Sequence, residues 1–340
     1  MRFLITGGLG FIGSNMIHYL LKKYPDISIC NLDKMTYAGN PANLSDIEND
    51  PRYSFVKGDI ADAAIVEKTF AEFQPDVVIH FAAETHVDRS IADPDVFIRS
   101  NTIGTHELLK AAKAHNVTRF HHVSTDEVYG HIALDSDERW TEESPYGPRS
   151  PYSASKAASD HFVRAYYHTY GLPITISNCA NNIGPYMYPE KLLPLAITNI
   201  LEGKKVPMYP PGNQVREWLY VEDHCSAIDS IVSKGIPGET YFVGPDNPQL
   251  SNLEVIKKLL AIMERGEDMI EFVKDRPGHD QKYALDHSKI TRELGWHPRY
   301  SLDESLERMV DWYTKNEAWW KPLKSGEYLE YYTQQYLTRE

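Results

Sequence analysis

The chain has 340 residues, an ordinary composition for a globular protein and a formal net charge of −13. This charge excludes a general nucleic-acid binder, which needs a basic face, and no apolar run approaches the roughly 20 residues that cross a bilayer. Three scattered cysteines without metal spacing indicate neither disulfides nor a zinc site, and no other metal site is expected. The chain starts on an apolar strand without a signal-peptide pattern, so we expect a cytoplasmic protein.

The first element is a strand over residues 2–6 that runs into a glycine loop and then into a helix over residues 14–24. The loop has the spacing G-x-x-G-x-x-G, in the strand, turn, helix order that a dinucleotide-binding fingerprint requires. Gly7 permits the tight turn, Gly10 lets the backbone approach a pyrophosphate, and Gly13 lets the helix pack on the strand. Three glycines alone are weak evidence, but the helix behind them offers free N–H groups to an anion.

The second strand, over residues 27–32, ends in an acid that strengthens this interpretation. Asp33 lies 20 residues after Gly13, where a carboxylate accepts hydrogen bonds from the adenosine ribose diol and repels a 2′-phosphate. The sequence therefore favours NAD over NADP as the cofactor. A third strand over residues 53–57 leads to Asp59, which we expect within reach of the adenine.

Strands and helices continue to alternate through the first half of the chain. A helix over residues 61–73, a fully apolar strand over 77–81 and a long helix over 94–115 lead to a strand over 120–123. This alternation predicts an α/β fold with a doubly wound parallel sheet of the Rossmann type, covered by helices on both faces.

The pattern loosens after the next predicted strand, over residues 172–177. Four more helices are predicted, at residues 190–201, 253–265, 287–294 and 302–316. We therefore expect residues 1–180 to form an NAD-binding domain, to which residues 205–245 partly return. Residues 181–340 would form mainly a smaller, mixed α/β substrate lobe.

Two adjacent acids follow the strand over residues 120–123. Ligands bind outside the carboxyl ends of the strands in an open α/β sheet, so Asp126 and Glu127 are expected in the binding crevice. Neighbouring carboxylates raise each other's pKa, which suits a general acid beside a general base. An isolated Asp-Glu pair is more often a polar turn, so this interpretation depends on the rest of the sequence.

A further helix begins near residues 150–151 and carries Tyr152 and Lys156, which this spacing places on one face, one turn apart. An ammonium close to a phenol favours the phenolate, so we expect Lys156 to lower the pKa of Tyr152 from about 10. Such a tyrosine removes a hydroxyl proton near neutral pH while a nicotinamide takes the hydride. The spacing alone is usually a coincidence, but after a dinucleotide fingerprint it indicates dehydrogenase chemistry.

Together these motifs resemble the extended short-chain dehydrogenase/reductase family and, within it, the nucleotide-sugar 4,6-dehydratases. The resemblance runs along nearly the whole chain and includes the glycine loop, Tyr152, Lys156 and the segments 33–40, 82–90, 181–185 and 275–280. Its most specific motif is Thr125-Asp126-Glu127. Related epimerases lack the acid pair, and decarboxylases and GDP-mannose dehydratases typically keep only the glutamate.

The resemblance implies an NAD-dependent lyase that acts on dTDP-glucose. Tyr152 would take the 4-hydroxyl proton during oxidation at C4, while Thr125 bonds the 4-oxygen and Lys156 supports the phenol. Glu127 would remove the C5 proton and Asp126 would protonate the leaving 6-hydroxyl, before a hydride returns to C6. The product would be dTDP-4-keto-6-deoxy-glucose, which feeds deoxysugars such as rhamnose. NAD would stay tightly bound because each turnover regenerates it.

The resemblance also assigns contacts residue by residue. Beside Gly7, Gly10 and Gly13, the implied cofactor contacts are Phe11, Ile12, Asp33, Lys34, Thr36, Asp59, Ile60, Ala82, Ala83, Ser100, Tyr152, Lys156 and Asn182. The implied sugar-nucleotide contacts are Thr85, Thr125, Asn181, Lys191, Leu192, Pro207, Tyr209, Arg216, Asn252, Arg276 and His279. Members of the family are usually dimers, so we expect a homodimer through the helices at residues 94–115 and 151–170.

The chain departs from the family pattern at a few positions. Ile183 stands where tyrosine is usual, Ala180 where serine is usual, and Lys282 where arginine is usual. We expect Ile183 to alter a wall near the sugar and Lys282 to alter the charge near the diphosphate, which leaves UDP-glucose as an alternative substrate. A 4-epimerase, a decarboxylase and a non-catalytic NAD-binding scaffold are further alternatives. The acid pair argues against the first two, and Tyr152 with Lys156 argues against the scaffold.

Overall fold

The computed structural model describes residues 1–275, 279–326, 328 and 332–333. The predicted contact Arg276 lies outside these residues, as does part of the predicted C-terminal lobe. The strands are β1 (Arg2–Thr6), β2 (Ser28–Asp33), β3 (Tyr53–Lys57), β4 (Val77–His80), β5 (Arg119–Thr125), β6 (Ile174–Cys179), β7 (Asn181–Ile183), β8 (Val206–Met208), β9 (Val215–Arg216), β10 (Trp218–Tyr220), β11 (Thr240–Val243), β12 (Leu250–Ser251) and β13 (Ile270–Phe272).

Helices connect most of these strands and cover the sheet. The α-helices are α1 (Phe11–Lys23), α2 (Ala63–Phe73), α3 (Val87–Ala92), α4 (Pro94–Phe97), α5 (Thr105–Ala114), α6 (Pro151–Tyr170), α7 (Leu192–Leu201), α8 (Val221–Lys234), α9 (Asn252–Ile262), α10 (Ser288–Leu294), α11 (Leu302–Lys315) and α12 (Glu317–Trp320). The helix predicted over residues 94–115 is continuous, but π-helical residues Ile98–Gly104 join α4 to α5. None of the helices in the described part of the chain is both long and apolar enough to span a bilayer.

Seven strands form one parallel sheet in the order β11-β6-β5-β4-β1-β2-β3, which confirms the predicted doubly wound fold. After β3 at one edge, the chain crosses to the other side of β1 and adds β4 there. The strand order therefore reverses between β1 and β4. A crevice opens at the carboxyl ends of the strands at such a switch point, and ligands bind in it.

Apolar residues on alternate sides of each strand bury the sheet from both faces. Leu4 points to the layer that contains α2, α5 and α6, whereas Phe3 and Ile5 point to the layer of α1 and α8. This alternation follows from the two-residue period of a strand. Both faces of β1 are thus apolar, as a covered parallel sheet requires.

Helix α6 carries the predicted tyrosine and lysine, and its start is well defined by the sequence. Ser150 accepts a hydrogen bond from the backbone N–H of Ser153, whose side chain bonds back to the backbone N–H of Ser150, and Pro151 occupies the first turn. The helix ends at Gly171, which has a φ of +70°. These signals fix where α6 begins and ends along the chain, and the helix packs against β5.

The later chain builds a second apolar core and also returns to the sheet. Side chains from α7, α9, α11 and α12 form this core, with Ile197, Leu259, Leu306 and Trp320 fully buried. In contrast, α8 packs against α1, and β11 pairs in parallel with β6. The chain therefore contributes α7 to the second apolar core before it completes the main sheet with β11.

Candidate active site

A cleft that is partly open to solvent lies at the carboxyl ends of β1, β2, β4 and β5. Its lining contains every predicted cofactor contact: Gly7, Gly10, Phe11, Ile12, Gly13, Asp33, Lys34, Thr36, Asp59, Ile60, Ala82, Ala83, Ser100, Tyr152, Lys156 and Asn182. The structure thus brings together residues from most of the first half of the chain. Their individual roles stay predictions.

The glycine loop needs its first and third glycines for close packing. Gly7 has a φ of +74°, and a Cβ there would lie 2.6 Å from the backbone nitrogen of Ala82. A Cβ on Gly13 would lie 2.3 Å from the carbonyl oxygen of Gly7. Gly10 instead caps α1, and no side chain caps that helix end. The first N–H groups of α1 are therefore available to an anion in the cleft.

Acidic residues at the ends of β2 and β3 also line the cleft. Asp33 accepts hydrogen bonds from the backbone N–H groups of Leu9 (2.9 Å) and Met35 (2.7 Å), so it also ties the glycine loop to the loop after β2. Asp59 pairs with Lys34 across 3.0 Å. The uncapped helix end, the acid after β2 and a buried Asn182 side-chain oxygen without a partner among the described residues together fit NAD.

The predicted acid pair follows β5 as a short 3₁₀-helical turn, Asp126–Tyr129. The hydroxyl of Thr125 accepts from the backbone N–H of Glu127 and donates to Oδ1 of Asp126, each at 3.2 Å. Asp126 is only 2% exposed, and its Oδ2 has no hydrogen-bond partner among the described residues. Burial, and then the charge of Glu127, raise the pKa of Asp126 well above its usual value, although Arg216 acts in the opposite direction. Asp126 is therefore protonated over a wider pH range than an exposed aspartate.

Tyr152 and Lys156 lie close to this pair, but their electrostatics differ from the prediction. Burial, followed by the charge of Glu127, raises the pKa of Tyr152, whereas a hydrogen bond with Thr125 lowers it. The ammonium of Lys156 donates to the carbonyl of Val123 at 2.9 Å rather than to the phenol. The expectation that Lys156 lowers the pKa of Tyr152 in this arrangement is wrong, because the desolvation of the phenol dominates.

A second cleft continues from the first and is lined mainly by the later part of the chain. Glu127, Asn181, Glu190 and Lys191 line both clefts. Of the predicted sugar-nucleotide contacts, Thr85 and Thr125 line the first cleft, and the second is lined by Asn181, Lys191, Leu192, Pro207, Tyr209, Arg216, Asn252 and His279. Glu127 therefore lies where the two clefts meet, and Asp126 lines the first cleft beside it.

Polar side chains with unused hydrogen-bonding capacity face this second cleft. Among the described residues, no partner bonds the side-chain oxygens of Asn181, Gln214 and Asn252, although each atom is buried. Buried amide oxygens are normally hydrogen-bonded, so these atoms are suited to a ligand rich in hydroxyl and N–H groups. Arg216 adds a buried guanidinium that lies over the ring of Tyr283, 4.2 Å from its centroid.

Two departures from the family pattern lie away from the positions expected for them. Ile183 is fully buried in the second apolar core and does not line either cleft, so the expected change in a wall near the sugar is wrong. Lys282 is also buried, and its ammonium donates to the carbonyl of Ser136 at 2.7 Å. It lines neither cleft, so its expected effect near the diphosphate is not supported. Ala180, in contrast, lines the first cleft.

Sequence reasoning missed one acid between the clefts. Glu190 is 5% exposed, and burial raises its pKa. It accepts a hydrogen bond from the hydroxyl of Tyr37 at 2.9 Å and lies 3.6 Å from Nε of Arg89. The one sequence signal for Glu190 was its position directly before Lys191, which was itself a predicted contact. The burial of a carboxylate just before a helix leaves no periodic pattern in the sequence, so it could not be predicted.

A parallel sheet with a glycine loop, an acid after the second strand and a tyrosine–lysine pair one helical turn apart defines an extended short-chain dehydrogenase/reductase. The family model for GDP-mannose 4,6 dehydratase matches residues 4–309. This match covers most of the chain, including both clefts. The chain belongs to this family of nucleotide-sugar 4,6-dehydratases.

Individual relatives that match nearly the whole chain are dTDP-glucose 4,6-dehydratases. A dTDP-glucose 4,6-dehydratase of Neisseria meningitidis is 47% identical over 96% of this chain and 97% of its own length. That of Salmonella typhimurium is 46% identical over the full length of both chains. The crystal structure of the Streptomyces venezuelae dTDP-glucose 4,6-dehydratase with NAD bound is 48% identical to this chain and has a TM-score of 0.91. The match covers 95% of this chain and 100% of that one. These matches confirm the resemblance that the motifs predicted.

Proposed function

We propose that this chain is a dTDP-glucose 4,6-dehydratase, an NAD-dependent hydro-lyase that forms dTDP-4-keto-6-deoxy-glucose. The observation that carries the proposal is the buried Asp126, which lines the first cleft directly beside Glu127, the acid that lines both clefts. A protonated acid beside a second carboxyl group is the equipment that loss of water from adjacent carbons requires. The similarity to dTDP-glucose 4,6-dehydratases over nearly the whole chain supports the same activity.

Oxidation at C4 needs a base for the hydroxyl proton. Tyr152 takes this role, and Thr125, whose hydroxyl donates a hydrogen bond to Asp126, orients the 4-oxygen. The first cleft would hold NAD with the glycine loop at its pyrophosphate and Asp33 at its ribose. When bound there, NAD supplies the hydride acceptor and donor, and the positive charge of its oxidised ring favours the phenolate.

Elimination of water then needs a base at C5 and an acid at the 6-hydroxyl. A ketone at C4 acidifies the C5 proton, so the carboxylate of Glu127 removes it. Asp126 gives its proton to the leaving hydroxyl, because burial raises the pKa of this carboxyl group and so favours its protonated form. The hydride taken from C4 would then return to C6, and Glu127 would return a proton to C5, which completes the 4-keto-6-deoxy product. Each such acid or base step is worth roughly 10²–10⁴-fold in rate.

Mass spectrometry of the reaction in deuterated water tests this proposal. With dTDP-glucose we expect a product lighter by one water that carries deuterium at C5, and UDP-glucose, run in parallel, should react more slowly. A Glu127→Gln variant should introduce no C5 deuterium. Unchanged mass with inverted C4 would make the protein an epimerase, and binding of both nucleotides without reaction would make it a scaffold.

We also infer a homodimer, in agreement with the sequence prediction. Apolar side chains are exposed on α4, on the π-helical residues that follow it and on α6, three segments that contact one another: Val96, Ile98, Ile103 and Phe162 are each more than 40% exposed. A second copy of the chain would cover them, because exposed apolar groups on neighbouring helices are typical of protein interfaces.

The division of the chain into residues 1–180 and 181–340 remains our proposal for its domains. The pairing of β11 with β6 supports the return of residues near 205–245 to the NAD-binding part. A cytoplasmic location also remains a prediction from the sequence.

A further inference from the structure

A buried carboxylate follows Lys156 by one turn of α6. Asp160 is fully buried. Its Oδ2 accepts hydrogen bonds from the hydroxyls of Tyr146 (2.7 Å) and Ser124 (2.9 Å), and Asn178 contacts it at 3.4 Å. A buried carboxylate with this many hydrogen-bond donors around it is stabilised in its ionised form. The dehydratase steps above do not use it.

A histidine on β5 links this carboxylate to the lysine of the site. Nε2 of His122 lies 3.5 Å from Nζ of Lys156 and 3.2 Å from Oδ1 of Asp160. Burial holds the pKa of His122 down at about 4, so the ring is neutral at neutral pH. The ammonium and the carboxylate are therefore the two charges of this buried group, and the neutral ring lies between them.

We propose that Asp160 is a positioning residue for the Tyr152–Lys156 pair, because its carboxylate keeps the buried Lys156 protonated and directed at the carbonyl of Val123. The catalytic role of Tyr152 and Lys156 rests on the proposed function. The effect of Asp160 on the charge of Lys156 does not depend on that function. Without a counter-charge, an ammonium that is only 4% exposed favours its neutral form. A neutral Lys156 would no longer stabilise charge on its neighbours.

Several other titratable groups surround the pair. On α6 these are Tyr152 and Arg164, and on the loop before α6 it is Tyr146, to which Arg164 donates at 2.9 Å. On β4, His80 lies with its ring centroid 5.1 Å from that of His122, and burial lowers its pKa well below the usual value.

On β6, burial raises the pKa of Cys179 to about 12, so this thiol is neutral at neutral pH. Burial also lowers the pKa of Lys156 to about 8, and the charge of Asp160 is the largest effect that opposes this. Among the described residues that act on Lys156, Asp160 thus supplies the negative charge at neutral pH.

The titration of Lys156 tests this role without turnover. Lysine labelled with ¹³C at Cε is followed by NMR in the NAD-bound protein, and the signal of Lys156 is assigned with Lys156→Arg. In Asp160→Asn we expect the midpoint of Lys156 to fall by about 1–3 pH units, the usual effect of an opposite charge at short range. The alkaline limb of the kcat profile should fall by a similar amount while KM changes little, and Asp160→Glu should restore most of both.

A matched control separates this effect from a general loss of packing. Asp229 is another buried carboxylate, but it pairs with Lys23 and Tyr24 between α1 and α8, so Asp229→Asn should leave the Lys156 midpoint unchanged. If Asp160→Asn does not fold, Asp160→Ser, which leaves room for a water, takes its place with the same expected result.

An unchanged midpoint in a folded Asp160 variant would overturn the proposal. If the wild-type protein converted no nucleotide sugar, the proposed function would fail, yet the NMR titration would still decide the role of Asp160.

Discussion

The raised pKa of Asp126 predicts how the stability and the activity of the protein respond to replacement of this residue. Its pKa is raised well above the usual value, so between about pH 4 and its folded-state pKa the native protein holds a proton that the unfolded chain has lost. Its contribution to stability is full below about pH 4 and is lost as pH rises. Each pH unit of this range lowers the free energy of unfolding by about 1.4 kcal/mol.

In Asp126→Asn the free energy of unfolding should no longer fall with pH at this position, because the amide has nearly the shape of the protonated acid and does not ionise. We expect the two proteins to unfold at similar temperatures near pH 4. The variant should become progressively more stable towards pH 7, with about 1–2 °C for each kcal/mol in a chain of this size. Thermal unfolding at pH 4, 5, 6 and 7, without added ligand, measures the difference. The same variant should still oxidise C4 but lose water roughly 10²–10⁴-fold more slowly.

Asp229→Asn is the opposite control, since that buried carboxylate is paired with Lys23 and accepts a hydrogen bond from Tyr24 at 2.9 Å. Its loss should destabilise the protein at neutral pH. A temperature gap for Asp126→Asn that stays constant or shrinks as pH rises would mean that Asp126 is ionised in the native state. It would then be unable to act as the acid.

Three further predictions concern other parts of the molecule. Tyr152→Phe should abolish the absorbance of reduced cofactor after substrate is added, and a normal NADH burst would remove this residue from the mechanism. Gly13→Ala should lower NAD affinity by tenfold or more, measured by calorimetry, because the new methyl meets the carbonyl of Gly7; unchanged affinity would show that the loop adapts. Phe162→Asp should yield monomers in sedimentation, as should Ile98→Asp, and a persisting dimer would place the interface elsewhere.

The features that the sequence predicted well are set by local patterns. The order of strand, glycine loop and helix, and the acid after β2, follow from residues that are close in the chain, and the structure places them together. The serine–proline start of α6 is local as well. Since parallel strands end at one edge of a sheet, the position of Asp126 beside the cleft followed from its place after a strand.

The features that it missed depend on packing between distant segments. The pKa of Tyr152 is dominated by burial, which no spacing rule contains. Ile183 was expected near the sugar, but its side chain belongs to a core formed with residues from α7 and α11. Glu190 forms its contacts with Tyr37 and Arg89, more than 100 residues earlier in the chain.

The late arrival of β11 has a consequence for synthesis on the ribosome. When Cys179 has emerged, β6 still has an open edge, and its partner strand follows only about 60 residues later. At roughly 5–20 residues per second, the nascent sheet waits about 3–13 s for that strand. An unpaired edge strand invites pairing with other chains. Production of this protein should therefore depend on how quickly translation passes through residues 180–243, and a cluster of rare codons there should reduce the soluble yield.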